Sequence, residues 1–304
     1  MDIHGKCSLC EQTKKLHQSH LIPKFVTKWL KKSSATGFIR VSPQMNQRSQ
    51  DVLKEYMLCL DCESLFSSWE TAVATYVFHP LVQRKAPIFK YESWLLKFAT
   101  SVSWRVFSWY RRGDPTEYPQ VSQDLMDKAM RTWKEFLLDH IEDPAPFDQH
   151  IILFDAIESS QNISGLPPNM NRYLVRAVDV NLVLSNGEPA FVYIKMGRLA
   201  ILGFIDCRHP EHWKGTKVSL GAGTIGGDVG MPEEFLGYLK ERATKVAREY
   251  DGLSERQRSV IEQSHRKDIE RSAASETFWA LEQDVRLFGE EAVFPEIEDG
   301  QDDS

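Results

Sequence analysis

Cys7-Ser8-Leu9-Cys10 and Cys59-Leu60-Asp61-Cys62 decide how the first part of this chain folds; the residues between them (11–58) number 48. Two thiolates three positions apart can turn around one tetrahedral ion at about 2.3 Å, and two such knuckles complete a closed four-cysteine site. A redox C-x-x-C normally occurs singly, so the second pair argues for metal. The spacing predicts one structural zinc ion on Cys7, Cys10, Cys59 and Cys62, pinning a module too small to fold on its own core. The remaining cysteine, Cys207, stands alone. This usage fits metal binding in a reducing cytosol and not a disulfide framework.

Between the pairs runs Leu16-His17-Gln18-Ser19-His20-Leu21-Ile22-Pro23-Lys24. The order C-x-x-C, His-x-Ile-Pro, C-x-x-C resembles the HNH superfamily of ββα-metal nucleases in its zinc-stapled, treble-clef form. The resemblance covers about residues 1–80. It is narrowest to bacterial proteins with a Ser-His-x-Ile-Pro-Lys segment and a C-x-x-C-Glu helix start. It implies a metal-dependent endonuclease that hydrolyses phosphodiester bonds, in a bacterial defence or conflict system. It further implies His20 as general base, with position 19 and the residue after the last cysteine serving a catalytic Mg²⁺ or Mn²⁺. The usual Asp or His is Ser19 here, and the usual His or Asn is Glu63. The structural Asn expected before the second pair is not evident in Val52-Leu53-Lys54-Glu55-Tyr56-Met57-Leu58.

The residue chemistry allows those roles. Histidine can act as a base near neutral pH, and Glu63 is a hard oxygen ligand. Glu63 and Glu70 share a helix face but are separated by roughly 10 Å of rise, too far to clasp one ion from the helix alone; Glu70 then reads as orienting another group. His17 and His20 also admit structural roles, capping the next helix or serving as alternative zinc ligands. The other reading of the module, from a different class, is a non-catalytic zinc module for nucleic-acid or protein recognition.

The chain has 304 residues, 37 basic and 43 acidic, with net charge −6 and 42% hydrophobic content, which excludes a collagenous or disordered polymer. As a soft prior this length holds about two domains. No apolar run approaches the roughly 18 residues of a membrane span, and Met1–Cys10 lacks a secretory layout. The expectation is a soluble cytoplasmic protein with no membrane partner. Charge is uneven: residues 1–50 hold nine Lys/Arg against Asp2 and Glu11. Lys14, Lys15, Lys24, Lys28, Lys31 and Lys32 suit a nucleic-acid partner, DNA before RNA. Leu287–Ser304 carries seven carboxylates and no base, the pattern of a solvated acidic tail.

Periodicity predicts helices over Leu60–Phe78, stopped at Pro80, then Trp94–Arg112 and Val121–Ile141. Trp94–Arg112 is apolar nearly all round and so buried; Gly113-Asp114-Pro115 ends it. Asp143-Pro144-Ala145-Pro146 marks a boundary. Beyond it the period falls to two: Ile151–Phe154, Tyr173–Leu184, a turn at Asn186-Gly187, Phe191–Ile194 and Leu199–Phe204 read as an antiparallel sheet over 148–220. Helices should start near Pro232 and at Ser254, where Ser254-x-x-Gln257 is a capping box, the second running to Phe288. The fold class is therefore α+β. It comprises a zinc-binding module (1–82), a helical segment (83–147), a sheet with C-terminal helices (148–288) and an acidic disordered tail (289–304). The 148–288 region is the surface available to a protein partner.

Weaker features read as structural. Cys207-Arg208-His209-Pro210-Glu211-His212 clusters metal-ligand types without a matching distant pair. Gly221-Ala222-Gly223-Thr224-Ile225-Gly226 matches the dinucleotide fingerprint, but it follows an antiparallel meander and opens no helix, so it reads as a flexible loop. Trp29, Trp69, Trp94, Trp104 and Trp109 have helical spacing and read as core, not as base-stacking platforms.

Overall fold

A computed structural model describes residues 3–40, 45–49, 51, 53–113, 120–160, 163–184 and 189–294. The fold is α+β, as the change of period predicts. The Asn186-Gly187 turn, Asp114-Pro115 and residues 295–304 lie outside the described residues, as do Met1 and Asp2; of the tail expected to be disordered over 289–304, Glu290–Val293 is helical.

The chain forms two compact units, each drawn from separate stretches. The first takes Met1–Trp29, Asp51–Phe154 and Val178–Pro232; the second takes Leu30–Gln50, Asp155–Ala177 and Glu233–Ser304. In the first, β1 (His4–Lys6), β2 (Thr13–His20) and β3 (Lys54–Cys59) form an antiparallel sheet. The helix α1 (Lys24–Lys32) follows β2 after Pro23, whose fixed φ suits a helix entry. The helix α2 (Leu60–Val73) starts directly from the last residue of β3. It runs on through a widened π turn, Ala74–Phe78, into the short α3 (His79–Val82). Pro80 therefore does not stop the helix as predicted. Proline has no N–H for the carbonyl four residues back and its ring crowds that carbonyl; the wider turn just before it carries the chain past.

Next come β4 (Ile88–Tyr91), α4 (Trp94–Tyr110) and α5 (Gln120–Leu137). Most of α4 is buried, as its all-round apolar sequence requires. It packs on α2, on α5 and on an antiparallel sheet of β5 (Gln149–Leu153), β6 (Val178–Val183), β7 (Ala190–Met196) and β8 (Leu199–Asp206), in the order β5-β8-β7-β6. Gly203 on β8 permits that approach, because a Cβ there would lie 2.6 Å from Ser103 Oγ. Ser103 Oγ also donates to Gln149 Oε1 at 2.7 Å. The Asp143–Pro146 stretch connects α5 to β5 within this unit.

The Gly221–Gly226 stretch is not simply a loop. Its last four residues are a strand, β9 (Gly223–Gly226), paired antiparallel with β4. Gly226 adopts φ +89° and a Cβ there would meet the Pro87 carbonyl at 2.1 Å. The glycine answers to this close backbone approach.

The second unit holds α6 (Met170–Arg176), α7 (Glu233–Asp251), α8 (Glu255–Lys267), α9 (Ile269–Ala273), α10 (Glu276–Phe288) and α11 (Glu290–Val293). The predicted strand Tyr173–Leu184 is divided: Tyr173–Arg176 belongs to α6 and only Val178–Val183 is strand. A buried carboxylate outweighs the alternating pattern, since Asp284 on α10 accepts from the amides of Asn171 and Arg172 (2.7 and 3.2 Å) at the start of α6. The single helix expected over 254–288 is three helices, because Asp268 and Ser275 cap new starts through Arg271 N and Phe278 N. The capping box does not form. Gln257 Oε1 accepts from Arg40 at 2.9 Å, and Asn46 Oδ1 takes the Ser254 amide instead.

Candidate metal centre and its surroundings

The two C-x-x-C pairs converge. The four sulfur atoms of Cys7, Cys10, Cys59 and Cys62 all lie within 4.8 Å of one another, close enough to hold a metal ion. The β2–β3 pairing accounts for this: Cys7 and Cys10 sit in the turn between β1 and β2, while Cys59 ends β3 and Cys62 is in the first turn of α2. Cys7, Cys59 and Cys62 are buried and Cys10 is half-buried. The Cys59 amide points at Cys7 Sγ at 3.3 Å, and Cys10 and Cys59 sulfurs are 3.8 Å apart.

Burial pushes the Cys7 thiol up, but backbone amides of Cys59, Cys10 and Leu9 outweigh it and bring Cys7 below the ordinary thiol value. Burial raises Cys10, and burial with the charge of Cys7 drives Cys62 far above that value. Four thiolates crowded together repel one another and pay for lost solvation, a cost that a dication relieves. Neither His17 nor His20 joins the cluster, so both are excluded as alternative ligands.

His20 ends β2 opposite Lys54. Its Nε2 lies 3.0 Å from Asp51 Oδ2, and Lys54 Nζ lies 2.6 Å from the same oxygen. Its main-chain carbonyl accepts from Arg105 Nη1 at 2.9 Å. Arg105 is buried within α4 and pairs through Nη2 with Glu70 Oε1 at 2.7 Å. Glu70 is thus tied to an arginine of α4 and does not lie on a fully exposed helix face. A register irregularity between His17 and Gln18 shifts the strand's buried face, so that Leu16 and then Ser19 are buried. Ser19 Oγ and Glu63 Oε1 are both buried oxygens without a hydrogen-bond partner among the described residues. Buried polar atoms are normally satisfied; these are two of seven such atoms among the described residues, and Glu63 joins no metal-ligand group there.

The other candidates separate cleanly. His209 and His212 stack at 5.3 Å and His209 Nδ1 meets Glu211 at 3.2 Å, but no metal-ligand group forms there among the described residues. Burial raises the Cys207 thiol to about 11, with Asp148 adding to the shift. None of Trp29, Trp69, Trp94, Trp104 and Trp109 is exposed. Lys14 is tied to Asp61 at 2.7 Å. Lys24, Lys28 and Lys32 are exposed along α1, a helix with no acidic residue. No described helix is long and apolar enough to cross a membrane.

Comparison with family models, with curated proteins and with solved structures gave no match. Two residues near His20 escape a reading of the sequence. Asp51 belongs to no periodic pattern and lies 31 residues from its partner. Arg105 does leave a signal, a cation in the middle of an apolar helix, because a buried charge requires a partner.

Proposed function

We propose that this chain is a metal-dependent, HNH-like endonuclease whose N-terminal part is a treble-clef module stapled by zinc on Cys7, Cys10, Cys59 and Cys62. Four soft sulfur donors within 4.8 Å of one another suit zinc over harder cations. The observation that carries the hydrolytic reading is the pair of unpartnered buried oxygens, Ser19 Oγ and Glu63 Oε1. They occupy the two sequence positions at which the HNH resemblance implies ligands for a divalent ion. Oxygen donors of this kind fit Mg²⁺ or Mn²⁺, which would supply positive charge against the leaving oxygen.

In this reading His20 takes a proton from the attacking water as the water oxygen bonds to phosphorus and the bridging P–O bond breaks. Arg105 and Asp51 restrain His20 at its carbonyl and at its ring. Exposed Lys24, Lys28 and Lys32 face the solvent where an anionic backbone can approach. The substrate is nucleic acid, DNA before RNA, and the setting is a bacterial defence system. A cytoplasmic location follows from cysteine usage. The 148–288 region serves a protein partner.

A second reading, a non-catalytic zinc module for nucleic-acid or protein recognition, draws on one observation: a serine stands where the resemblance calls for Asp or His. Incubating purified protein with plasmid and with RNA, with and without Mg²⁺ or Mn²⁺, separates the two. Cleavage by the parent, lowered roughly 10²–10⁴-fold in His20→Ala and preserved or raised in Ser19→Asp, supports the nuclease. Glu63→Ala should lower the rate and weaken the metal dependence. Cleavage by a folded, zinc-loaded His20→Ala protein equal to the parent's overturns the catalytic assignment. Binding without cleavage under any metal favours recognition.

A further inference from the structure

We propose that Asp51 is the positioning residue of His20, fixing its Nε2–H tautomer and leaving Nδ1 as the atom that accepts a proton. This rests on the reading of His20 as a base. The geometry is direct: Asp51 Oδ2 lies 3.0 Å from His20 Nε2. An ionised carboxylate can only accept, so the ring nitrogen facing it carries the hydrogen. In neutral imidazole the other nitrogen then holds the lone pair.

The surroundings make this arrangement specific. Lys54 stands opposite His20 in the β2–β3 register and holds the same carboxylate oxygen at 2.6 Å, which favours ionised Asp51. The side chains of His20 and Asp51 are only 17% and 28% exposed, so water competes weakly for the bond. The main chain of His20 is held independently, by Arg105 Nη1 on its carbonyl. A histidine restrained at both its carbonyl and its far ring nitrogen has one remaining nitrogen to offer. A surface ion pair serving stability alone has no need of the second restraint.

The test reads the ring directly and does not depend on turnover. In ¹⁵N-histidine-labelled, zinc-loaded full-length protein, long-range ¹H–¹⁵N correlation reports the tautomer of His20, assigned by the loss of its signals in His20→Gln. The parent should show a pyrrole-like Nε2 and a pyridine-like Nδ1. Asp51→Ala should move both shifts toward the averaged values of a free imidazole, and Asp51→Glu should restore the parent pattern. Asp51→Asn is isosteric and guards against a misfolded Ala variant; its amide can donate, so it releases the tautomer without removing bulk. On a nucleic-acid substrate, Asp51→Ala should lower kcat, by at most the roughly 10²–10⁴-fold that general-base help contributes, with little change in KM. Shifts unaltered in both Asp51→Ala and Asp51→Asn overturn the proposal. Shifts that move in a protein whose parent cleaves nothing uphold the positioning of the ring and overturn the nuclease reading alone.

Discussion

Arg105 and His20, 85 residues apart in the chain, are joined by a hydrogen bond of 2.9 Å from the guanidinium Nη1 to the histidine carbonyl. The same guanidinium pairs with Glu70 at 2.7 Å and lies over the Phe66 ring at 5.3 Å. One buried cation on α4 therefore ties together β2, which carries His20, and α2, which carries Glu63 and Glu70.

Removing that cation should be costly. Arg105→Met leaves the half-buried Glu70 without its charge partner and frees the His20 carbonyl. Breaking a buried pair from one side typically costs on the order of 3–5 kcal/mol. Urea unfolding should show a loss of that size, and Arg105→Met with Glu70→Gln together should recover part of it. A single-variant loss below about 1 kcal/mol would mean that the pair is not what holds these elements.

The metal prediction concerns the fold. Freshly purified protein should contain one Zn²⁺ per chain. Cys59→Ser should abolish that content and open β2, β3 and the start of α2 first, because metal binding at such a site is folding free energy. Hydrogen exchange resolved by peptide is the suitable measurement: fast exchange should appear over residues 3–20 and 54–66 before it appears in β7 and β8. Parent protein without zinc, or unchanged exchange in Cys59→Ser, contradicts the assignment.

Charge should act through α1. Lys24 and Lys28 are exposed, whereas Lys14 is committed to Asp61. Each phosphate contact adds about 0.9 to the slope of log affinity against log salt on duplex DNA. Lys24→Gln and Lys28→Gln should each reduce the slope by about that amount, and Lys14→Gln by less. Affinity that stays flat with salt in the parent makes this face ordinary solvated surface.

Acid should weaken the protein through His150. This buried side chain faces Thr216 Oγ1 at 2.7 Å, and Thr216 already donates to the Trp213 carbonyl at 2.8 Å. The hydroxyl must therefore accept from Nδ1–H of a neutral ring. Burial, with Lys217 nearby, lowers His150 from an ordinary 6.5 to about 4. Between those values the unfolded chain binds a proton that the native state refuses. Stability is thus fully present above pH 6.5 and is lost as pH falls toward 4. From pH 7 to pH 5 the parent should lose about 2 kcal/mol more than His150→Gln in matched denaturant titrations. Equal losses would show that His150 is not the group responsible.

The four-cysteine cluster was legible from spacing alone, because two-residue gaps between thiolates restrict what a chain can do with them. The buried character of α4 and the sheet strands beyond residue 148 were legible for a similar reason: local side-chain pattern and burial agree there. Where they disagree, distant partners win. Tyr173–Arg176 has a strand-like pattern but is helical, since Asp284, more than a hundred residues away, satisfies the amides at the helix start. Gln257 looked like a reciprocal cap and was claimed by Arg40.

For the candidate site, the sequence by itself determined the identities at positions 19, 20 and 63 and the four cysteines whose sulfurs lie close enough to hold a metal ion. It left open what surrounds His20. Only the tertiary structure brought Asp51 to the ring, Arg105 to the carbonyl and Glu70 to Arg105. Such contacts leave no periodic trace along the chain. They arise because a buried charge or hydrogen-bonding group must find a partner wherever folding brings one within about 3 Å.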